Sequence, residues 1–101
     1  MEMLRFYVSE KQRHDGELLY EWLLEEARRM GIPGGSVFRA IAGYGRHGKL
    51  HEETFFELAG ELAVKVEFVL DDETADRLLQ HVAGQRLGIF YKRCAVQAGV
   101  I

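Results

Sequence analysis

Leu4, Phe6 and Val8 alternate with Arg5, Tyr7 and Ser9 near the start of the chain. A two-residue period puts the apolar set on one face of an extended segment, so residues 3–9 are expected as a strand. A polar stretch, 10–16, follows, and then the period changes. Leu19, Trp22, Leu23, Ala27 and Met30 recur every three or four positions within residues 17–30, which contain no Pro or Gly and are rich in Leu, Glu, Ala and Arg. This pattern predicts an amphipathic helix with Asp15 as its N-cap. Arg28 and Arg29 sit where cations complement the helix dipole, and Gly31 stops the helix.

The one proline, Pro33, lies among Gly31, Gly34 and Gly35 in a turn, and residues 36–42 read as a second strand. Residues 43–49, with three glycines in six positions, are expected as loop, and 54–58 as a short strand rather than a helical turn. Residues 63–70 alternate most cleanly, with Val64, Val66, Phe68 and Leu70 opposed to Lys65 and Glu67. The pair Asp71-Asp72 offers the next N-cap, before Ala75, Leu78, Leu79 and Val82 at helical spacing, and Gly84 ends that helix. Residues 88–97 return as a last strand. The order β-α-β-β-α-β predicts an α+β, ferredoxin-like fold, a four-stranded antiparallel sheet with two helices on one face.

Arg5, Arg39, Lys65 and Glu67 fall out of phase with the core positions of their strands, so they are expected on the face opposite the helices. Tyr7 and Val69 share that face, and Phe38, Ala40 and Ala42 make the second strand apolar on both sides. So much apolar surface on a bare sheet points to a contact between subunits, with the charges paired across it or at its rim.

The 101 residues are 48% hydrophobic and 29% charged, enough for one folded domain over 1–101 and too few for two. A formal charge of -3 argues against general nucleic-acid binding. No apolar run is long enough to span a bilayer, and Glu2 and Arg5 bring charge too early for a signal peptide. One cysteine, Cys94, fits a reducing cytoplasm and reads as a buried structural thiol.

Gly43-Tyr44-Gly45-Arg46-His47-Gly48-Lys49 carries the most chemistry. Unobstructed backbone N–H groups can cradle an anion, and Arg46, His47 and Lys49 add charge. As a motif alone, a glycine-rich surface loop is the plainer reading. His47 and His51 have helical i, i+4 spacing beside Glu52 and Glu53, but the glycines disfavour helix, and no metal or other cofactor is expected. His81, near the end of the second helix, reads as a solvated imidazole. The chain has no Gly-x-Ser-x-Gly segment, its serines Ser9 and Ser36 lie in strands, and nothing in it points to an enzyme. Gln85, Arg86, Lys92 and Arg93 gather polar and cationic groups around Gly84 and Gly88, a second candidate anion contact.

The runs Gly16-Glu17-Leu18-Leu19-Tyr20-Glu21 and Gly31-Ile32-Pro33-Gly34-Gly35-Ser36-Val37-Phe38-Arg39-Ala40-Ile41-Ala42-Gly43-Tyr44-Gly45 resemble the uncharacterised PII-like family, a bacterial and archaeal domain of unknown function in the nitrogen-regulatory PII superfamily. The resemblance implies a cytoplasmic, non-enzymatic homotrimer whose sheets face a threefold axis. A small anionic effector, commonly an adenine nucleotide in PII proteins, would bind at clefts between subunits. It would reset the loop 43–53, which grips or releases a protein partner, a membrane transporter or channel being the kind implied. Gly43, Gly45 and Arg46 match the base of the PII loop, with Tyr44 in place of Phe and His47 in place of Gln. The implied ligand contacts are Gly43, Tyr44, Gly45, Arg46, His47, Gly48 and Lys49 of one subunit, with Gly88, Lys92 and Arg93 of the next. The chain departs from PII in a shorter 84–88 turn and in Ile89, which stands where PII has a phosphate-binding Lys. It also lacks the uridylylated tyrosine, and it closes on Gly99-Val100-Ile101 without the PII arginine-bearing segment. Two other readings remain: a docking trimer without effector, and a metal-binding trimer of the same fold using His47 and His51.

Overall fold

The alternating apolar residues of two strands form the floor of the core: Leu4, Phe6, Val8, Val64, Val66, Phe68 and Leu70 are each at most 4% exposed. The computed structural model describes residues 1–43 and 63–101. In chain order its elements are β1 (Glu2–Ser9), β2 (Arg13–His14), β3 (Glu17–Leu18), α1 (Leu19–Arg29), β4 (Ser36–Arg39), β5 (Ala63–Leu70), α2 (Asp72–Ala83) and β6 (Phe90–Ala95). Four strands form an antiparallel sheet in the order β4-β5-β1-β6. Leu19, Leu23 and Ala27 of α1 and Ala75, Leu78 and Val82 of α2 close the core over one face. Burying each such Leu or Phe contributes about 1.5–3 kcal/mol. This is the expected α+β, ferredoxin-like arrangement.

α1 begins at Leu19 rather than 17, and Asp15 is not its cap. Leu18 occupies the N-cap position and provides no side-chain hydrogen bond. Asp15 and Gly16 instead stand at φ 52° and 86° as the two central residues of a hairpin joining β2 to β3. Successive positive φ values at Asp-Gly define a tight primed turn whose twist matches the strands it joins. The other end of α1 follows expectation. Gly31, at φ 86°, lets its own N–H reach the Arg28 carbonyl and the Ile32 N–H reach Ala27, both at 3.0 Å. Ile32 then folds back into the core at 5% exposure.

Asp71 caps α2 as expected, its carboxylate accepting from the Thr74 N–H at 2.8 Å. The expected strand at 36–42 ends at Arg39, although the Ala40 N–H still donates to the Ala63 carbonyl. The last strand runs over Phe90–Ala95 rather than 88–97. The expected strand at 54–58 lies outside the described residues.

Candidate functional site

Register decides which side chains share the helix-free face. Arg5 pairs with Glu67, Tyr7 with Lys65 and with Phe90, Phe38 with Lys65, and Met3 with Val69 and with Cys94. All are out of phase with the buried set, so they line the bare side of the sheet. Arg39 does not join them. It pairs with Val64, a core-side residue, and its guanidinium binds Glu10 at 2.8 and 3.4 Å on the helix side. Cys94 is likewise corrected: it is exposed, because its partner Met3 points away from the core.

The bare face is both greasy and charged. Phe38 and Phe90 are 49% and 64% exposed. The Phe90 ring lies 5.7 Å from that of Tyr7. Lys92 Nζ sits 5.1 Å from the centre of the Tyr7 ring, and Lys65 Nζ 4.8 Å from that of Phe38. Glu67 receives the Arg5 guanidinium at 3.0 Å and Lys65 Nζ at 3.3 Å. These charges are thus paired within the chain rather than left for another subunit. Burial tends to raise the Glu67 pKa, but the hydrogen bonds from Arg5 and Lys65 together hold it below the usual carboxylate range.

Of the anticipated ligand residues, Gly43, Gly88, Lys92 and Arg93 are described, whereas Tyr44, Gly45, Arg46, His47, Gly48 and Lys49 lie outside the described residues, as does His51. Gly88 stands at φ 69° with open space where a β-carbon would be, and Gly43 also has open space there. Lys92 and Arg93 are successive strand residues and so face opposite ways. Lys92 is on the bare face. Arg93, opposite Leu4, is on the helix side, where it binds Asp76 at 2.7 Å, Glu2 at 2.9 Å and the Asp72 carbonyl at 3.3 Å. The hydrogen bonds it donates to Asp76 and Glu2 raise its pKa further.

Topology sets how these groups relate. β4 ends, and β6 begins, at the same end of the sheet, where Ser9 meets Ala63. They occupy its two opposite edges, however, with β5 and β1 between them. Three strand spacings of about 4.8 Å separate those edges by roughly 14 Å. Gly43 and Gly88 therefore open toward one end of the sheet from opposite sides.

A second feature, without a signal in the hydrophobic pattern, ties the 84–88 turn to the hairpin. His14 Nε2 is 3.1 Å from Gln85 Oε1, and the His14 ring meets Trp22 edge-on at 4.7 Å. His81 is partly solvated, its side chain 39% exposed, but it is not free. It stacks on Trp22 at 5.8 Å and binds Glu26 at 2.7 Å. The Asp-Gly dipeptide was the one cue to this hairpin. Among the described residues no cluster of three or more His, Cys, Asp or Glu side chains is placed to hold a metal, and no helix is long and apolar enough to cross a membrane.

Residues 1–87 match the DUF190 family, described as "Uncharacterized ACR". A protein named "UPF0166 protein" from Aquifex aeolicus is 37% identical over 87 residues, spanning 86% of this chain and 83% of that one. A second UPF0166 protein, from Methanocaldococcus jannaschii, is 35% identical over 77 residues, 76% of this chain and 70% of its own. A solved structure from Thermus thermophilus, described as a candidate PII-like signaling protein, superposes with a TM-score of 0.57 over 92% of this chain and 85% of that one, at 19% identity.

Proposed function

The chain belongs to the DUF190 family and has a PII-like fold, and on that footing we propose that it is a PII-like regulatory protein acting as a trimer of one-domain subunits. A small anionic effector, with adenine nucleotides the first to test, binds at clefts between subunits. It contacts Gly43 and the residues 44–49 of one subunit and Gly88 and Lys92 of the next. The effector sets the loop 43–53, which controls a protein partner. Arg93 serves as a strut, since two carboxylates and a carbonyl already occupy its guanidinium.

The observation that supports this most is the placement of Gly43 and Gly88 at one end of the sheet on opposite edges. Within a single chain the strands that lead to them are roughly 14 Å apart, so a neighbouring copy is the proposed source of the second contact. The half-exposed aromatics of the bare face supply the apolar area for that association. Control then works by population shift: the effector must bind one loop state better than the other. Calorimetric titration with ATP, ADP, AMP and cyclic nucleotides tests the reading. Heat from one of them, lost in Arg46→Ala and reduced in Lys92→Ala, is the expected result. Absence of heat from all, with unchanged hydrogen exchange over 43–53, would leave a docking trimer instead.

A further inference from the structure

The core-side surface of the sheet is not fully covered at β6. Tyr91 stands opposite Phe6, which is 1% exposed, yet Tyr91 itself is 48% exposed. The space beside it is a cavity of about 430 Å³ between α2 and the 84–89 turn, within the ordinary size range of small-molecule sites. Phe6, Leu79, Val82 and Tyr91 line its body, and Leu87 and Ile89 wall it from the turn.

Gln80 and Arg86 are the polar side chains of its lining. Arg86 adopts φ 57°, a left-handed conformation that usually costs a non-glycine residue about 1 kcal/mol or more, and Gly88 follows at φ 69°. Among the described residues no carboxylate pairs with the exposed Arg86 guanidinium, as also for Arg13, Arg28 and Arg77, whereas Arg5 and Arg39 are each held by one and Arg93 by two. The backbone N–H groups of Leu87 and Gly88 also donate to nothing among the described residues. At the carbonyl end of α2, the Gly84, Gln85 and Arg86 N–H groups donate to the Gln80, Val82 and Ala83 carbonyls.

We propose that this cavity binds a small amphipathic monoanion, a medium-chain alkyl or aryl-alkyl carboxylate. Its apolar body lies against Phe6, Leu79, Val82 and Tyr91. Its carboxylate meets the Arg86 guanidinium, which suits a planar two-oxygen group, with the free N–H groups of the turn beside it. A polyphosphate is a poor fit, since one guanidinium cannot balance several negative charges against an apolar wall. This site lies within one chain and goes beyond the subunit-cleft reading, sharing only Gly88 with it.

Methyl-resolved NMR of the full chain, titrated with octanoate, octanamide and ATP in parallel, tests the site. Octanoate is expected to shift the methyls of Leu79, Val82, Leu87 and Ile89, and octanamide to bind about tenfold more weakly, the loss of one charge-assisted contact. Arg86→Gln should remove that advantage and leave octanamide unchanged. Ala83→Leu, at an exposed position on the cavity wall, should abolish both sets of shifts while the circular dichroism melt stays as it was. No shift at those methyls up to millimolar octanoate would overturn the proposal, as would equal binding of acid and amide. ATP moving the same methyls and displacing octanoate would overturn the assignment to a monocarboxylate. The reading is independent of oligomeric state, so a solitary chain would end the cleft proposal without touching this one.

Discussion

Glu67 is pulled in two directions by its surroundings, and the balance has a pH signature. Hydrogen bonds from Arg5 and Lys65 outweigh its burial and leave its folded pKa below the ordinary glutamate value of 4.5. A carboxylate with a depressed folded value contributes stability that is fully present above its unfolded pKa and is lost as pH falls through the folded one. Glu67→Gln should therefore flatten part of the acid limb of a melting-temperature profile below about pH 4.5, and an unchanged limb would reject the pairing. Asp71 acts in the same sense, its pKa lowered by the Thr74 backbone hydrogen bond. Asp71→Ala should lower the calorimetric melting temperature by about 5 °C at neutral pH, the usual effect of losing a cap. Asp71 and Asp15 look alike in sequence, each an acid ahead of a helical pattern. What separates them is Gly16, because Asp-Gly favours the positive φ pair of a hairpin turn and so commits the aspartate to the hairpin. Cys94 and Arg39 show a related ambiguity: in a short strand a one-residue error of phase sends a side chain to the other face.

Elements buried on one face were readable, and edge elements were not. β1 and β5 pair in the middle of the sheet, so their alternation matches burial throughout β5 and from Met3 to Val8 in β1, the buried Ser9 being the exception. β4 and β6 lie at the edges and are largely exposed on both faces, which leaves their ends and phases without a hydrophobic signal. The turn before β4 carries a sharper constraint than its glycine content suggested. A β-carbon on Gly35 would collide with the ring of Phe68, which is 2% exposed, and would also press on Leu24. Gly35→Ala should cost about 1–3 kcal/mol in urea unfolding, the range for overpacking a full core. Gly34→Ala should cost less, since nothing stands where its β-carbon would go. Equal losses at the two glycines would contradict the packing described here.

At the scale of the whole molecule, the fold class followed from the order of periodic segments, but the candidate site did not. Gly43 and Gly88 are 45 positions apart in sequence, and only the strand order reveals that they share an end of the sheet and not an edge. The assembly prediction belongs at this level. Light scattering coupled to size exclusion should give a mass three times the 11.6 kDa of one chain. Phe90→Lys places a charge on the most exposed aromatic of the bare face and should return the mass to that of one chain, with far-ultraviolet circular dichroism unchanged. A wild-type chain that elutes alone would remove the cleft on which the regulatory reading depends.

Trp22, the one indole in the chain, contacts the rings of both His14 and His81, and His14 is tethered to Gln85 at the foot of the 84–88 turn. This contact offers an optical gauge: a displacement of the turn that moves His14 is expected to alter the indole's emission. Intrinsic fluorescence can follow occupancy of either proposed site without a label, and His14→Gln supplies a control in which the tether's aromatic contact is gone.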